Sequence, residues 1–301
     1  MPIRMDRLPL MSAAIIMAAA MHFSAQSATL AFGPAIVLAE NIKPGAPESD
    51  IFGKGDFTFV IYNHDKESGW YNLGLEKPTD TKELPYPPIP DPSWCRLDVS
   101  ELEVKGETNA KVHLLIKVPD KPEYYNRKWT VLVVCAPGRK QKDDKPAVGL
   151  RVASRVLIET VSKVEGDPAE PAVALWPTVL QSGAIPSAFI DETVKVKNNT
   201  DAERTYTTKR MDEYEKDAEK FERYYSRGFS AIVKTPWIKS EATFKLKPGE
   251  IKDLKVDIKV PDATGKGNYE ELLFVQDDKG NVNFLRVQVD VPPPTTAEKK
   301  P

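Results

Sequence analysis

Two cysteines and three histidines are all that this 301-residue chain offers in ready thiolate or imidazole chemistry. Cys95 and Cys135 stand about 40 residues apart, and no Cys-x-x-Cys spacing marks a redox or metal motif. In an oxidising compartment such a pair is expected to form a Cys95–Cys135 disulfide, with two buried thiols as the alternative. Closing a loop of that length stabilises a domain by roughly 3–4 kcal/mol in chain-entropy terms. His22 falls in an N-terminal apolar run, His64 sits beside Asp65 at a strand end, and His113 takes the polar side of a strand. No further nitrogen or thiolate stands at a ligand spacing, so no metal site is expected. There is neither a Gly-x-Ser-x-Gly elbow nor a glycine-rich phosphate loop. The expectation is a protein with no catalytic residue and no cofactor.

One segment has helical periodicity. Across Lys209–Arg227, Met211, Tyr214, Ala218, Phe221 and Tyr225 recur at three- and four-residue steps, and charged residues fill the other face. Glu213–Lys216 and Glu219–Arg223 are spaced to reinforce it. Its aromatic face has two readings. It caps the open end of its own domain, or it docks a partner through Tyr214, Phe221, Tyr224 and Tyr225, since aromatic residues concentrate at the centres of interfaces.

Around this segment the dominant period is two. Phe57, Phe59 and Ile61 alternate with Thr58, Val60 and Tyr62; Val112, Leu114, Ile116 and Val118 do the same, as do Leu254, Val256, Ile258 and Val260. Such alternation is that of strands with one face on a core and one in water. Landmarks also recur at long range. Ile116-Lys-Val-Pro-Asp120 returns as Ile258-Lys-Val-Pro-Asp262, Trp94 as Trp237, Gly106-Glu107 as Gly249-Glu250, and Phe59–Asn63 resembles Val194–Asn198. Four landmarks in one order predict two similar halves of short strands and frequent turns, the pattern of immunoglobulin-like sandwiches. The clearest predicted hairpin joins Glu271–Val275 to Val282–Val291 through Asp277-Asp-Lys-Gly-Asn281, with Gly280 in the left-handed position.

An Asn-bearing strand, a Trp, a Gly-Glu turn and a Val-Pro-Asp strand end before a Tyr resemble the tandem immunoglobulin-like modules of exported bacterial surface and periplasmic proteins. The second half carries the likeness best, through Trp237, Phe244, Leu246, Pro248-Gly249-Glu250, Val260-Pro261 and Tyr269. At this level the chain is also similar to the domains of pilus chaperones and to sandwich modules appended to glycosidases. The resemblance implies a non-catalytic module for binding, spacing or assembly. The fold class expected is therefore all-β, two immunoglobulin-like sandwiches in tandem, with a helical insertion in the second.

The N-terminus reads as an address. Arg4 and Arg7 precede an apolar stretch, Leu8–Phe23, and a second one, Thr29–Ala39, holds Gly33-Pro34. Those are the marks of a secretory signal, with cleavage expected after Ala39 and after Ala28 as the alternative. The expected organisation is a signal at 1–39 (or 1–28), a first domain at 50–164, a polar Pro-rich linker, a second domain at 172–291, and a disordered tail at 292–301. With 42 Lys and Arg against 44 Asp and Glu there is no broad basic field, which argues against a nucleic-acid partner. No membrane association is expected once the signal is removed. The function expected is that of an exported structural or protein-interaction protein, periplasmic or at the cell surface, with envelope or surface proteins as partners. The alternatives are a carbohydrate-binding module, using Trp70, Tyr71, Tyr86 and Trp94 as a platform for a glycan, and a periplasmic pilus-type chaperone.

Overall fold

The computed structural model describes residues 30–47, 57–79, 86–138, 151–161, 171–214, 224–232 and 237–293. The first half contains β1 (Leu30–Gly33), β2 (Ile36–Ile42), β3 (Thr58–Asn63), β4 (Gly69–Glu76), β5 (Cys95–Leu97), β6 (Glu101–Val104), β7 (Thr108–Ile116), β8 (Lys128–Pro137) and β9 (Val152–Thr160). The second contains β10 (Val173–Trp176), β11 (Val179–Gly183), β12 (Phe189–Asn198), β13 (Arg204–Arg210), a single helical turn α1 (Met211–Tyr214), β14 (Ser230–Ala231) and β15 (Ile238–Ser240). It ends with β16 (Thr243–Leu246), β17 (Ile251–Lys259), β18 (Gly267–Asp277) and β19 (Val282–Val291).

These strands make two immunoglobulin-like β-sandwiches. In the first, a sheet of order β1-β3-β7-β5 faces one of order β2-β9-β8-β4-β6; in the second, β10-β12-β17-β15 faces β11-β19-β18-β13-β16, with β14 alongside β18. The two orders correspond strand for strand. In both halves the first two strands are separated by a sheet change, at Gly33-Pro34 and at Trp176-Pro177, and the second strand then runs parallel to the last. The period-two residues fill the cores: Phe59, Ile61, Val112, Leu114 and Ile116 in the first, Leu254, Val256, Ile258 and Val260 in the second, all essentially inaccessible.

The repeated landmarks have matching jobs. Asn63 donates from Nδ2 to the carbonyls of Glu67 (2.8 Å) and Val104 (3.0 Å), and its Oδ1 accepts from the Asp65 amide. Asn198 donates to Ala202 (2.8 Å) and Leu246 (3.0 Å) and accepts from the Thr200 amide. Each buried amide thus ties a β-turn to the sandwich and leaves no polar atom of its own unpaired. Trp94 and Trp237 each accept, through their carbonyls, from the amide of the residue after the repeated Ile, Lys117 and Lys259, both at 2.7 Å. Gly106 is required by a close approach, since a Cβ there would lie 2.0 Å from the Lys66 carbonyl oxygen. The predicted hairpin is present, and Gly280 at its turn has φ +86°.

Three expectations are corrected. The first sandwich begins at Leu30 rather than at residue 50: β1 pairs with β3, β2 pairs with β9, and Ala39 is wholly buried in mid-strand. The second apolar stretch is therefore two strands around a corner, and cleavage after Ala39 would remove β1 and most of β2. Cys95 and Cys135 are free thiols, not a disulfide. Cys95 lies on β5 in one sheet and Cys135 on β8 in the other, each among apolar neighbours whose exclusion of water pushes the thiol pKa up to about 12. They act as core residues, and Cys135 holds the place that Val275 holds in the other half. The helical expectation starts two residues early, because Lys209 and Arg210 pair with Phe274 and Leu273 as part of β13. Helix is described for Met211–Tyr214 only, and 215–223 lie outside the described residues, as do most of the linker and the tail from residue 294.

A chain beginning at residue 29 should unfold as the full sandwich pair does. One beginning at residue 40 loses the buried Leu30 and Phe32, each contributing about 1.5–3 kcal/mol by burial, along with the ladders of β1 and β2. Urea denaturation followed by tryptophan fluorescence should show the first-half transition absent from that shorter chain.

Candidate functional site

The two sandwiches meet face to face. Core side chains of β18 and β19 are odd-numbered, Leu273, Val275, Leu285, Val287 and Val289, so the even-numbered ones point out of the sandwich. They are nevertheless buried: Leu272, Phe274 and Phe284 pack with Leu157 of β9 and Tyr86, and with Ile36 and Leu38 of β2. The outer face of the β2-β9-β8 sheet thus seals the outer face of the β19-β18 sheet. The Pro-rich segment lays Tyr86 across the seam, held by paired backbone bonds from Ile89 and Thr130 to the carbonyls of Thr130 and Pro87, both 2.9 Å.

Within this seam lies the densest ionisable cluster of the described chain. Arg286, wholly inaccessible, donates from Nε and Nη2 to the two oxygens of Glu159 in the first half, at 2.9 and 2.7 Å. Its Nη1 donates to Glu270 Oε2 and to the Tyr224 carbonyl, both at 2.9 Å, and Nη2 also reaches the Tyr86 hydroxyl at 3.4 Å. All five guanidinium protons find acceptors, in a fork geometry that lysine does not offer. Tyr86 donates in turn to Glu159. Glu40, on β2, brings Oε1 to 3.2 Å from Arg286 Nε. Lys128, on β8, crosses from the first half to donate to Asn283 Oδ1 (3.1 Å) and the Phe284 carbonyl (2.8 Å), with its ammonium 4.3 Å from the centre of the Phe284 ring.

Ser226 Oγ lies 2.6 Å from Glu40 Oε1 and 2.6 Å from Glu270 Oε1, and accepts from Gln288 Nε2 at 3.0 Å. Its one proton is directed at both carboxyls. Glu270 already accepts from Arg286, the Ser226 amide and Gln288 Nε2. Burial raises the pKa of Glu40, against the opposing pull of Arg286. Burial alone would raise Glu159 too, but Arg286, with Lys128 and the Tyr86 hydroxyl, outweighs it and holds the group near 2. Burial draws Lys128 down to about 8.

The residues singled out from sequence are placed differently from expectation. Tyr224 and Tyr225 are buried in the seam, and Tyr214 stacks on Phe274 with ring centres 4.0 Å apart. None of the three is an open docking contact, because the outward face they cover is the one that meets the other sandwich. Phe221 lies outside the described residues. The aromatic platform does not assemble either: Tyr86 is in the seam, whereas Trp94 packs on Tyr124 and Trp129 at the end of the first core. The seam residues themselves, Glu40, Glu159, Glu270 and Arg286, were missed by the sequence reading. Among the described residues, no group of three or more His, Cys, Asp or Glu is arranged to hold a metal ion.

No protein-family model and no curated protein matches the chain. Among solved structures it is similar to a protein of unknown function from Porphyromonas gingivalis W83, at 13% identity over 87% of this chain and 100% of that one, with a TM-score of 0.34. It is similar at 11% identity to the periplasmic chaperone SfaE, over 87% and 100% of the two chains (TM-score 0.29). A further similarity is to the E. coli chaperone DraB, at 10% identity over 87% and 98% (TM-score 0.30).

Two outcomes follow from the cluster. Glu159→Gln leaves Arg286 buried without its main counter-charge and should cost about 3–5 kcal/mol in urea unfolding. Glu40→Gln keeps a carbonyl oxygen to accept from Ser226 and should cost under about 1 kcal/mol. The second outcome concerns Glu271, which accepts from the Met211 and Leu272 amides at 3.2 and 3.0 Å and is raised by burial to about 7 from 4.5. A raised carboxyl contributes stability that is complete below its unfolded value and fades as pH climbs through the folded one. Stability should therefore decline between about pH 4.5 and about pH 7, and Glu271→Gln should remove that component of the slope in melts across this range.

Proposed function

We propose that this chain is an exported, non-catalytic protein-interaction protein of the cell envelope or cell surface, and that its two sandwiches act as one rigid body in an extracytoplasmic assembly. The observation that carries this reading is the seam. The richest set of ionisable groups in the described chain directs its hydrogen bonds inward, from one half to the other, and is closed to solvent at Arg286 and Glu270. Such a site fixes the relative position of two modules, which is the task of a scaffold. Export rests on the N-terminal signature, Arg4 and Arg7 before Leu8–Phe23. Cleavage after Ala28 leaves β1 whole, so the mature chain starts at residue 29. Among the described residues, no helix is long and apolar enough to cross a membrane.

A second reading, a periplasmic chaperone that pairs with extended segments of its clients, is favoured by one feature, a stretch of β12 that among the described residues has a ladder partner on one side only. The two readings share export and protein partners and differ in whether the complex persists. Fractionation, N-terminal sequencing and in-cell crosslinking test them together. The expected result is an envelope fraction with its N-terminus at residue 29 and a crosslinked complex of fixed composition. A complex that dissolves once clients have assembled selects the chaperone. An intact Met1 in the cytoplasm, or glycan binding with no crosslinked protein, overturns the proposal.

A further inference from the structure

Sheet β10-β12-β17-β15 is unevenly closed. β17 accompanies β12 from Phe189 through Lys197, but β10 pairs only with Lys195–Asn198 before the chain leaves for the opposite sheet at Trp176-Pro177. Among the described residues, Phe189–Val194 therefore have a ladder partner on one side only. In the first half the corresponding overhang of β3 beyond β1 is Thr58 and Phe59 alone. Six residues, about 20 Å of strand, suffice for a partner strand to add to the sheet.

The chemistry along this edge is specific. Phe189 is 61% exposed, and Ile185, just before it in the chain, is 65% exposed, the two most exposed large apolar side chains described. Two residues on, Asp191 points to the same outer face and lies directly across from Asp257 on β17, hydrogen-bonded to it. Lys239 of β15 flanks Asp257 on the far side. The open side of Asp191 faces no cation among the described residues. Glu192, on the other face, bonds to Ser182 at 3.0 Å.

We infer that Phe189–Val194 is a strand-addition edge for an extended segment of a partner protein that places an apolar side chain against Phe189 and Ile185 and a Lys or Arg beside Asp191. A second copy of this chain fits poorly. Antiparallel pairing of the edge with itself, centred on Asp191, sets the two copies of that carboxylate opposite one another on the outer face, and like charges directly opposed are destabilising. A cation from the open side instead relieves the repulsion between Asp191 and Asp257, whose carboxyl is raised by that neighbour. The inference rests on the protein-interaction reading above and names the surface that reading leaves open.

The test uses the mature chain and an acetylated, amidated peptide, Thr-Val-Thr-Lys-Thr-Val-Thr, with a Glu-for-Lys version as control. Amide hydrogen exchange should show new protection at Phe189–Val194 with the Lys peptide. Asp191→Lys and the Glu peptide should each weaken binding about tenfold, and Phe189→Ser should weaken it by a similar factor. Both substitutions are on exposed side chains, and unchanged circular dichroism melts show that the variants fold. Protection elsewhere, or none, overturns the inference, as does an envelope complex that forms equally well with the Asp191→Lys/Phe189→Ser double variant; in that last case the interaction reading survives. If no envelope complex forms with the wild-type chain, the broader reading fails. A concentration-dependent dimer that protects 189–194 assigns the edge to a second copy and overturns the inference in the other direction.

Discussion

A guanidinium with no access to solvent requires counter-charges that arrive with it, and here they come from both halves of the chain. Arg286 belongs to the second sandwich and its bidentate partner Glu159 to the first. Desolvating such ions costs several kcal/mol each, so neither half alone is a comfortable home for its share of the cluster. Separated, the second sandwich would hold Arg286 with Glu270, and the first would expose Leu157 and Glu159. Joined, every proton of the guanidinium is accepted. The apolar layer of Leu157, Leu272, Phe274 and Phe284 drives the faces together by area. The ion cluster contributes register, because the fork of Arg286 and the reach of Lys128 are met in one relative placement of the sheets.

The strands, their alternation and their correspondence between the halves were legible because each rests on a local rule. Val112–Val118 and Leu254–Val260 bury every second residue, and Asn63 and Asn198 repeat because a buried amide must be satisfied in the same corner of each sandwich. The seam was not legible in that way. Alternation by itself implies one face in a core and one in water, and Leu272, Phe274 and Phe284 on what would be the water face are the signal that both faces are covered. Arg286 and Glu270 look like ordinary solvent-facing charges until that second covering is recognised. The same blind spot sent Tyr224 and Tyr225 to an imagined docking surface, and joined two thiols on the strength of compartment alone, though separation along the chain says nothing of distance across a core. Thr29–Ala39 misleads for a different reason: an apolar stretch after a leader reads as more leader when its strand partners lie about 30 and 120 residues downstream.

Correspondence of strand order does not extend to the polar chemistry. Aligned through the β4–β8 and β13–β18 pairings, Arg286 matches Arg155, and Glu270 matches Thr130. Arg155 is half-buried, whereas Arg286 is sealed. One framework thus carries a cation at the same place in both halves, and in the second it is paired with an acid on the neighbouring strand. The seam is therefore asymmetric: the second sandwich supplies the fork and the first supplies the acceptor. A repeat that stacked symmetrically would set like against like, and an arginine facing an arginine across a dry interface has no counter-charge.

The asymmetry also determines which surfaces remain for other molecules. The seam consumes the outer face of the β19-β18 sheet, so the opposite sheet of the second sandwich, β10-β12-β17-β15, keeps its outer face and its incomplete edge in water. A strand added at Phe189–Val194 extends that sheet without touching Arg286 or its partners, and the separation is useful in physical terms. Coupling between two sites requires an element with two arrangements, and the ion cluster with its apolar surround is a single packed arrangement between them. On the proposed rigid-body reading, binding at the edge is a local event, and the first sandwich is carried along in a set orientation instead of being released. For the scaffold role proposed above, a packed seam and an open edge are complementary requirements, and they lie on opposite faces of one domain.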